Sequence, residues 1–413
     1  MSTVLLKNIS MLVNVRERTE LLRGTALAEL PVMQNAWVLI DGDNISEYGL
    51  MESLPQNYQS IENSHDLTGR LVLPAWCDSH THLVFAATRE EEFVDKLKGL
   101  SYLEIAKKGG GILNSAEKVA NASEEELFDA AWNRLEEISK MGTGAVEIKS
   151  GYGLTTDAEL KMLRVIRQLK KKSKVLIKST FLGAHAYPTE FRNNHAGYIR
   201  MITNEMLPRI ARERLADYVD VFCEENFFSV KETELICGEA KKYGLKPKLH
   251  VNQMTCSGGV EAGVNLNALS VDHLECMDAN AIKALANGQT IGTMLPTAAF
   301  FLRMSYPPAR AMIEAGAALA LASDYNPGSS PSGNMNLVVA MACIQMKMLP
   351  EEAINAATLN GAFAMEVEEE AGSITRGKRA NLIITKPMNS VAYIPYAFGE
   401  RWIEKVMLAG EFI

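Results

Sequence analysis

Two histidines, His80 and His82, close the stretch Leu71-Val72-Leu73-Pro74-Ala75-Trp76-Cys77-Asp78-Ser79. On a strand, residues two apart point to one face, so the two imidazoles can share a metal ion. Alone, the pair only slightly favours a metal over two stray histidines on a solvated edge. Its company tips the balance. His185, His250, His273 and Asp324 each stand at the end of another apolar, strand-like run. Five of the seven histidines fall at such ends, and His65 and His195 read as surface residues. His80, His82, His250 and Asp324 together mix imidazole with carboxylate, a donor set for one zinc or iron(II) ion with a position left for water. Such an ion lowers the pKa of water towards ~7, and His273 with Asp324 could take and return the proton. His250 or His273 singly would be a hydrogen-bonded core histidine. The set argues for a centre.

Eight apolar runs have to position these groups: 71–76, 144–149, 175–183, 218–223, 246–251, 268–274, 290–295 and 317–323. Helical patterns of charged and aliphatic residues lie between them, at 123–139, 157–171, 230–243, 280–287 and 308–315. Alternating strand and helix implies a parallel sheet. Eight such units fit a closed (β/α)8 barrel of TIM type, whose active site gathers where the strands end. An open doubly wound sheet would want a Gly-rich turn after the first strand, and none is there. Both ends of the chain read as short strands, with Asp41-Gly42 marking a hairpin and Ala409-Gly410 a tight turn. The expected organisation is an α/β barrel over residues 71–370. Residues 1–70 and 371–413 would join in a small β-sandwich domain, since chain ends often lie close together.

Composition narrows the function. The 413 residues are 47% hydrophobic, enough for a large core. The net charge of -8, with Lys170-Lys171-Lys172 as the solvated end of a helix, disfavours nucleic acid. The stretch from Met335 to Met346 is too short to span a bilayer, and no secretion signal opens the sequence. Six scattered cysteines without a CxxC suggest free thiols in a reducing compartment, so a cytoplasmic location is expected.

Three stretches carry a resemblance: Pro74 to His82, Lys149-Ser150-Gly151-Tyr152, and Asp324-Tyr325-Asn326-Pro327-Gly328-Ser329. With the tail from Gly372 to Leu382, they make the chain similar to the amidohydrolase superfamily. It most resembles the branch that opens the imidazolone ring in histidine degradation. Asn381 departs from the usual aspartate of the tail, without consequence for the site. The resemblance implies a homodimeric enzyme with one zinc or iron ion. It would hydrolyse a C–N bond of a cyclic amide, turning 4-imidazolone-5-propanoate into N-formimino-L-glutamate.

The resemblance also implies residue roles. Arg89 would hold the propanoate by a two-point contact. On the residues alone, a salt bridge to Glu90, Glu91 or Glu92 weighs equally. Tyr102 and Tyr152 would steady the same tail, and His185 would bond the ring and the developing oxyanion. Asn326, Gly328 and Ser329 would touch the substrate through amide, backbone N–H and hydroxyl, or simply form a Pro-Gly turn. Gln253 stands where some relatives carry a proton-transferring glutamate. An amide cannot be a base, so Gln253 would orient the ring and proton transfer falls to His273 and Asp324. Lys149 is expected to be a structural or ion-paired residue, not a bridge between two metals. Glu224 and Glu275 are expected to orient histidines or pair with cations, and Gly109-Gly110-Gly111 to form a lid. The rivals are a nucleobase deaminase, which would leave Arg89 without an anion, and a scaffold that has lost its metal.

Overall fold

The computed structural model describes residues 3–100, 104 and 110–413. Its strands are β1 (Thr3–Val13), β2 (Val32–Asp41), β3 (Asn44–Leu50), β4 (Ser64–Asp66), β5 (Leu71–Pro74), β6 (Trp76–Thr81), β7 (Thr143–Lys149) and β8 (Leu176–Ala184). They continue with β9 (Tyr218–Cys223), β10 (Lys246–Val251), β11 (Ser270–His273), β12 (Ile291–Met294), β13 (Leu319–Leu321), β14 (Leu382–Thr385), β15 (Ile403–Leu408) and β16 (Glu411–Phe412). Strands β6 to β13 run in sequence order as an eight-stranded sheet, each parallel to the next. The ring closes beyond the last strand. Asp324 N–H donates to His80 O at 3.0 Å and His82 N–H to Tyr325 O at 2.9 Å. The closing bonds are thus made by the residues expected to carry the chemistry.

Helices fill the crossovers, and their caps explain their limits. Ser123 and Glu126 form a capping box at the start of helix Glu124–Lys140. Thr155 caps Thr156–Lys172, which ends in exposed Lys171 and Lys172. Ser229 with Glu232 caps Val230–Lys241, and Asp278 caps Ala279–Asn287. Among the described residues no helix is long and apolar enough to cross a membrane.

One expected strand divides in two. Residues 71–76 do not form the first barrel strand; β5 belongs to the terminal sheet, and the barrel begins at Trp76. β5 pairs with β1 and with β14. Its side chains alternate as a strand's must. Leu71 and Leu73 enter the barrel's core, while Val72 enters the core of the terminal sheet. The barrel strand β6 is instead Trp76-Cys77-Asp78-Ser79-His80-Thr81, buried throughout. A search for apolar runs passes over it, because its polar side chains are satisfied inside the protein. Asp78 accepts from Ser323 N–H at 2.9 Å and Ser323 Oγ at 2.5 Å, and Thr81 Oγ1 donates to Glu147 O at 2.7 Å.

The chain ends build one eight-stranded, mostly antiparallel sheet in the order β16-β15-β14-β5-β1-β2-β3, with β4 beside β1. It folds over on itself. Ile45 N–H donates to Lys378 O and Ala380 N–H to Asp43 O, both at 2.8 Å, which ties the β2–β3 hairpin to the C-terminal segment. Gly410 meets that hairpin so closely that a Cβ there would lie 2.0 Å from Gly42 O. The space enclosed holds Leu6, Ile9, Leu12, Val38, Ile40, Leu382, Ile384 and Met407, all apolar.

Candidate metal centre

Strand periodicity aims the site inward. Asp78 and His80 on β6, Glu147 and Lys149 on β7, and Lys248 and His250 on β10 are pairs two apart, and all are buried. Asp220 on β9 and Asp272 on β11 flank His250, with His250 directly opposite Asp272 in register. His80 Nδ1 lies 2.6 Å from Asp272 Oδ2, and His250 Nδ1 lies 3.0 Å from Asp220 Oδ2. A carboxylate only accepts, so both Nδ1 atoms carry the proton and both Nε2 lone pairs face the barrel axis.

Donor atoms gather there in two overlapping groups: those of His80, His82 and His250 lie within 4.8 Å of one another, and so do those of His80, His273 and Asp324. His82 Nε2 and His250 Nε2 are 3.3 Å apart, and Asp324 Oδ1 is 3.6 Å from Nε2 of both His80 and His82. His80 Nε2 is buried and has no hydrogen-bond partner among the described residues. Burial, Lys149 and the neighbouring imidazoles hold His80 well below the usual histidine range. Burial, His185 and His250 do the same for His82. His250 is pushed down to about 4 by burial, against the pull of Asp220. Neutral imidazoles with a buried carboxylate, oriented from behind by two aspartates, fit a divalent cation.

Lys149 stands behind this set. Its Nζ donates to Glu147 Oε1 at 2.6 Å and Asp220 Oδ2 at 2.8 Å, and lies 3.8 Å from Asp272 Oδ2. Burial opposes its charge, but Asp220, Glu147 and Asp272 more than offset that and raise its pKa. It is ion-paired, as expected from the sequence. Lys248 adds a second buried cation, 2.5 Å from Glu147 Oε2.

On the open side, the His273 ring centre is 5.3 Å from that of His250 and 5.7 Å from that of His80. Its Nδ1 is 3.5 Å from Glu275 Oε1. Burial works against a charge on His273, yet Glu275 and then Asp324 and Asp272 raise its pKa. Glu275 therefore orients a histidine, whereas Glu224 accepts from Met254 N–H at 2.9 Å and ties a turn. Asp324 is pushed up to about 6 by burial, with His273 and the Asn326 and Ser329 bonds pulling the other way. His273, Leu274 and Asp324 have φ of 92°, 71° and 52°. Non-glycine residues rarely adopt such values, which concentrate at functional sites.

Two expected contacts change character. His185 Nδ1 is 3.0 Å from Gly151 O. A carbonyl only accepts, so the proton sits on Nδ1 and Nε2 is an acceptor. Burial, with His250 adding to it, pushes His185 down to about 3, so it stays neutral. It can receive a ring N–H but cannot donate to an oxyanion. Asn326 donates to Asp324 O and Ser329 Oγ, both at 2.7 Å, and accepts from the N–H groups of Gly328 and Ser329 at 2.8 Å. Ser329 Oγ in turn donates to Asp324 Oδ2 at 3.2 Å. The donors expected to touch the substrate are engaged within the turn, where they fix the Asp324 carboxylate.

Tyr152 is buried, its ring centre 5.8 Å from His82 and 5.4 Å from His185. Arg89 pairs with Glu92 and lies against Gly328. Gln253 sits half-buried in the turn after β10. Tyr102 and Gly109 lie outside the described residues. Sequence reasoning missed the histidine-orienting roles of Asp220 and Asp272, and it missed Lys96, whose Nζ reaches Gly328 O at 3.4 Å. The available signal was a charged residue inside an apolar strand, as in Val219-Asp220-Val221 and Val271-Asp272-His273.

Known proteins share this arrangement of chain. The amidohydrolase family matches residues 250–413. The chain is 57% identical over 411 residues to the imidazolonepropionase of Flavobacterium johnsoniae, covering 99% of each. It is 52% identical over 412 residues to that of Christiangramia forsetii, covering 100% of each. Among solved structures, an adenosine deaminase from Xanthomonas campestris with bound zinc superposes with a TM-score of 0.70 at 16% identity, over 100% of this chain and 92% of that one. At that identity the likeness is one of fold.

Proposed function

The chain belongs to the imidazolonepropionase family of amidohydrolases, and from that premise we propose how its own residues run the family's reaction. The reaction is hydrolysis of 4-imidazolone-5-propanoate to N-formimino-L-glutamate, the opening of a cyclic amide at a C–N bond. His80, His82, His250 and Asp324 would hold one divalent cation, zinc or iron(II), since imidazole and carboxylate suit both. Bound there, the ion polarises a carbonyl and brings the pKa of water to about 7.

The grouping around His82 supports this reading: its Nε2 lies 3.3 Å from His250 Nε2 and 3.6 Å from Asp324 Oδ1. Asp324 takes a proton from the attacking water, with Ser329 and Asn326 fixing its carboxylate. His273, kept towards its charged form by Glu275, gives its own proton to the leaving ring nitrogen, and the proton on Asp324 then restores it. His185 accepts a ring N–H through Nε2, and Gln253 orients the ring from the end of β10. Arg89 holds the propanoate, with Tyr152, Tyr102 and Gly328 lining the tail. Six free thiols support a cytoplasmic location, and the family likeness supports a homodimer.

Purified protein supplied with 4-imidazolone-5-propanoate, and separately with cytosine and guanine, tests the reading. Loss of the imidazolone with no ammonia from either base is the expected result. Ammonia release from a base without imidazolone hydrolysis would overturn it.

A further inference from the structure

Arg89 is not free to choose its position. Its Nε and Nη2 both donate to Glu92 Oε2, at 2.9 and 2.6 Å. The other oxygen, Oε1, accepts from Gly111 N–H at 2.9 Å. Glu90, Glu91 and Glu92 all open the helix Glu90–Leu97, and each would suit its N-terminus. Only Glu92 turns inward, 8% exposed, while Glu90 and Glu91 face solvent. A carboxylate is costly to bury unless it is paired. Glu92 is paired twice, with Arg89 three residues before it and with the backbone of Gly111.

The opposite edge of the guanidinium rests on Gly328. A Cβ at Gly328 would lie 2.3 Å from Arg89 Nη1 and 2.9 Å from Cζ. A side chain there would displace the arginine that lies across it. Nη1 thus lies against the turn that carries Asp324 and Asn326, and Tyr152 is close enough to feel the charges of Arg89, Asp324 and Glu92.

We propose that Glu92 is the positioning residue for the propanoate-binding arginine: it grips one edge of the guanidinium, presses the other against Gly328, and so presents Nη1 and the free face of Nη2 to the substrate carboxylate. The inference rests on the assignment of Arg89 to the propanoate. A rival outcome is that a carboxylate already bonded to Arg89 cancels its charge and weakens the substrate. Lys96 answers that. Its Nζ bonds Gly328 O at 3.4 Å and its charge is felt at Glu92. Two cations face one carboxylate, and the cluster keeps a net positive charge for an incoming anion. Glu92 therefore orders the arginine without neutralising the subsite.

The test is a pair of substrates, 4-imidazolone-5-propanoate and the matching propanamide, with metal content measured for every variant. Glu92→Ala should raise KM for the carboxylate about tenfold, the scale of a charge-assisted contact. It should move KM for the amide by less than about twofold and leave kcat for both nearly unchanged. Glu92→Gln should fall between wild type and Glu92→Ala. Gly328→Ala, which displaces Arg89 from the other side, should raise KM for the carboxylate more than KM for the amide, and if Glu92→Ala fails to fold Glu92→Gln carries the test by the same split. Unchanged or tighter carboxylate binding in Glu92→Ala, or equal losses for both substrates, would overturn the proposal. Arg89→Met separates the layers. If it abolishes the preference for the carboxylate while Glu92→Ala and Gly328→Ala keep it, only the positioning role fails. If Arg89→Met keeps the preference, the assignment of Arg89 fails and takes the positioning role with it.

Discussion

The terminal sheet and the barrel interior are buried to the same degree by opposite means. Between the folded layers of the sheet lie Leu6, Ile9, Val38, Ile40, Ile384 and Met407, with no charge among them. Along the barrel axis lie Asp78, Glu147, Lys149, Asp220, Lys248 and Asp272, each fully buried. The first core gains stability from removing apolar surface from water. The second cannot, because a buried charge breaks even at best against an apolar core. Its charges persist because they hold one another and, through Asp220 and Asp272, hold two imidazoles with their lone pairs turned to the barrel axis. The difference teaches where to look for function: in the region where burial is bought with pairing.

That contrast can be broken or sharpened by substitution. The largest effect is expected from His250→Ala, which removes a proposed metal donor. Turnover should fall by about a thousandfold or more, and metal bound per chain should drop, with the far-UV spectrum unchanged. His273→Ala should cut kcat by about a hundredfold to ten-thousandfold while metal content stays intact. Near-normal turnover would remove His273 from the chemistry. Lys149→Met leaves Glu147, Asp220 and Asp272 short of a cation. Urea titration should show a loss of about 3–5 kcal/mol, and metal affinity by chelator competition should weaken by about 10- to 100-fold. The smallest effect belongs to the apolar core. Ile40→Val should cost about 0.5–1.5 kcal/mol with KM, kcat and metal content unchanged. A catalytic defect there would blur the division between the two regions.

The same division governs what the sequence makes legible. The terminal hairpin was readable because Asp41-Gly42 between apolar segments has few other uses. The histidine cluster was readable because histidine is rare here and five of seven close strand-like runs. The barrel's first strand was not, since Asp78, Ser79 and Thr81 look solvated until Ser323 and Glu147 are brought beside them. Asp220, Asp272 and Glu92 were hidden for the same reason. A carboxylate in a sequence carries no mark of the partner that will bury it. His185 shows a finer limit: its position was legible, but which nitrogen bears the proton depends on Gly151 O, thirty-four residues away.

Titration of metal-stripped protein with zinc or iron(II) under turnover conditions tests the central claim most directly. Activity should rise linearly and break at one ion per chain, and the same titration of His250→Ala should stay flat. Full turnover by protein freed of metal, or a break at two ions per chain, would contradict it.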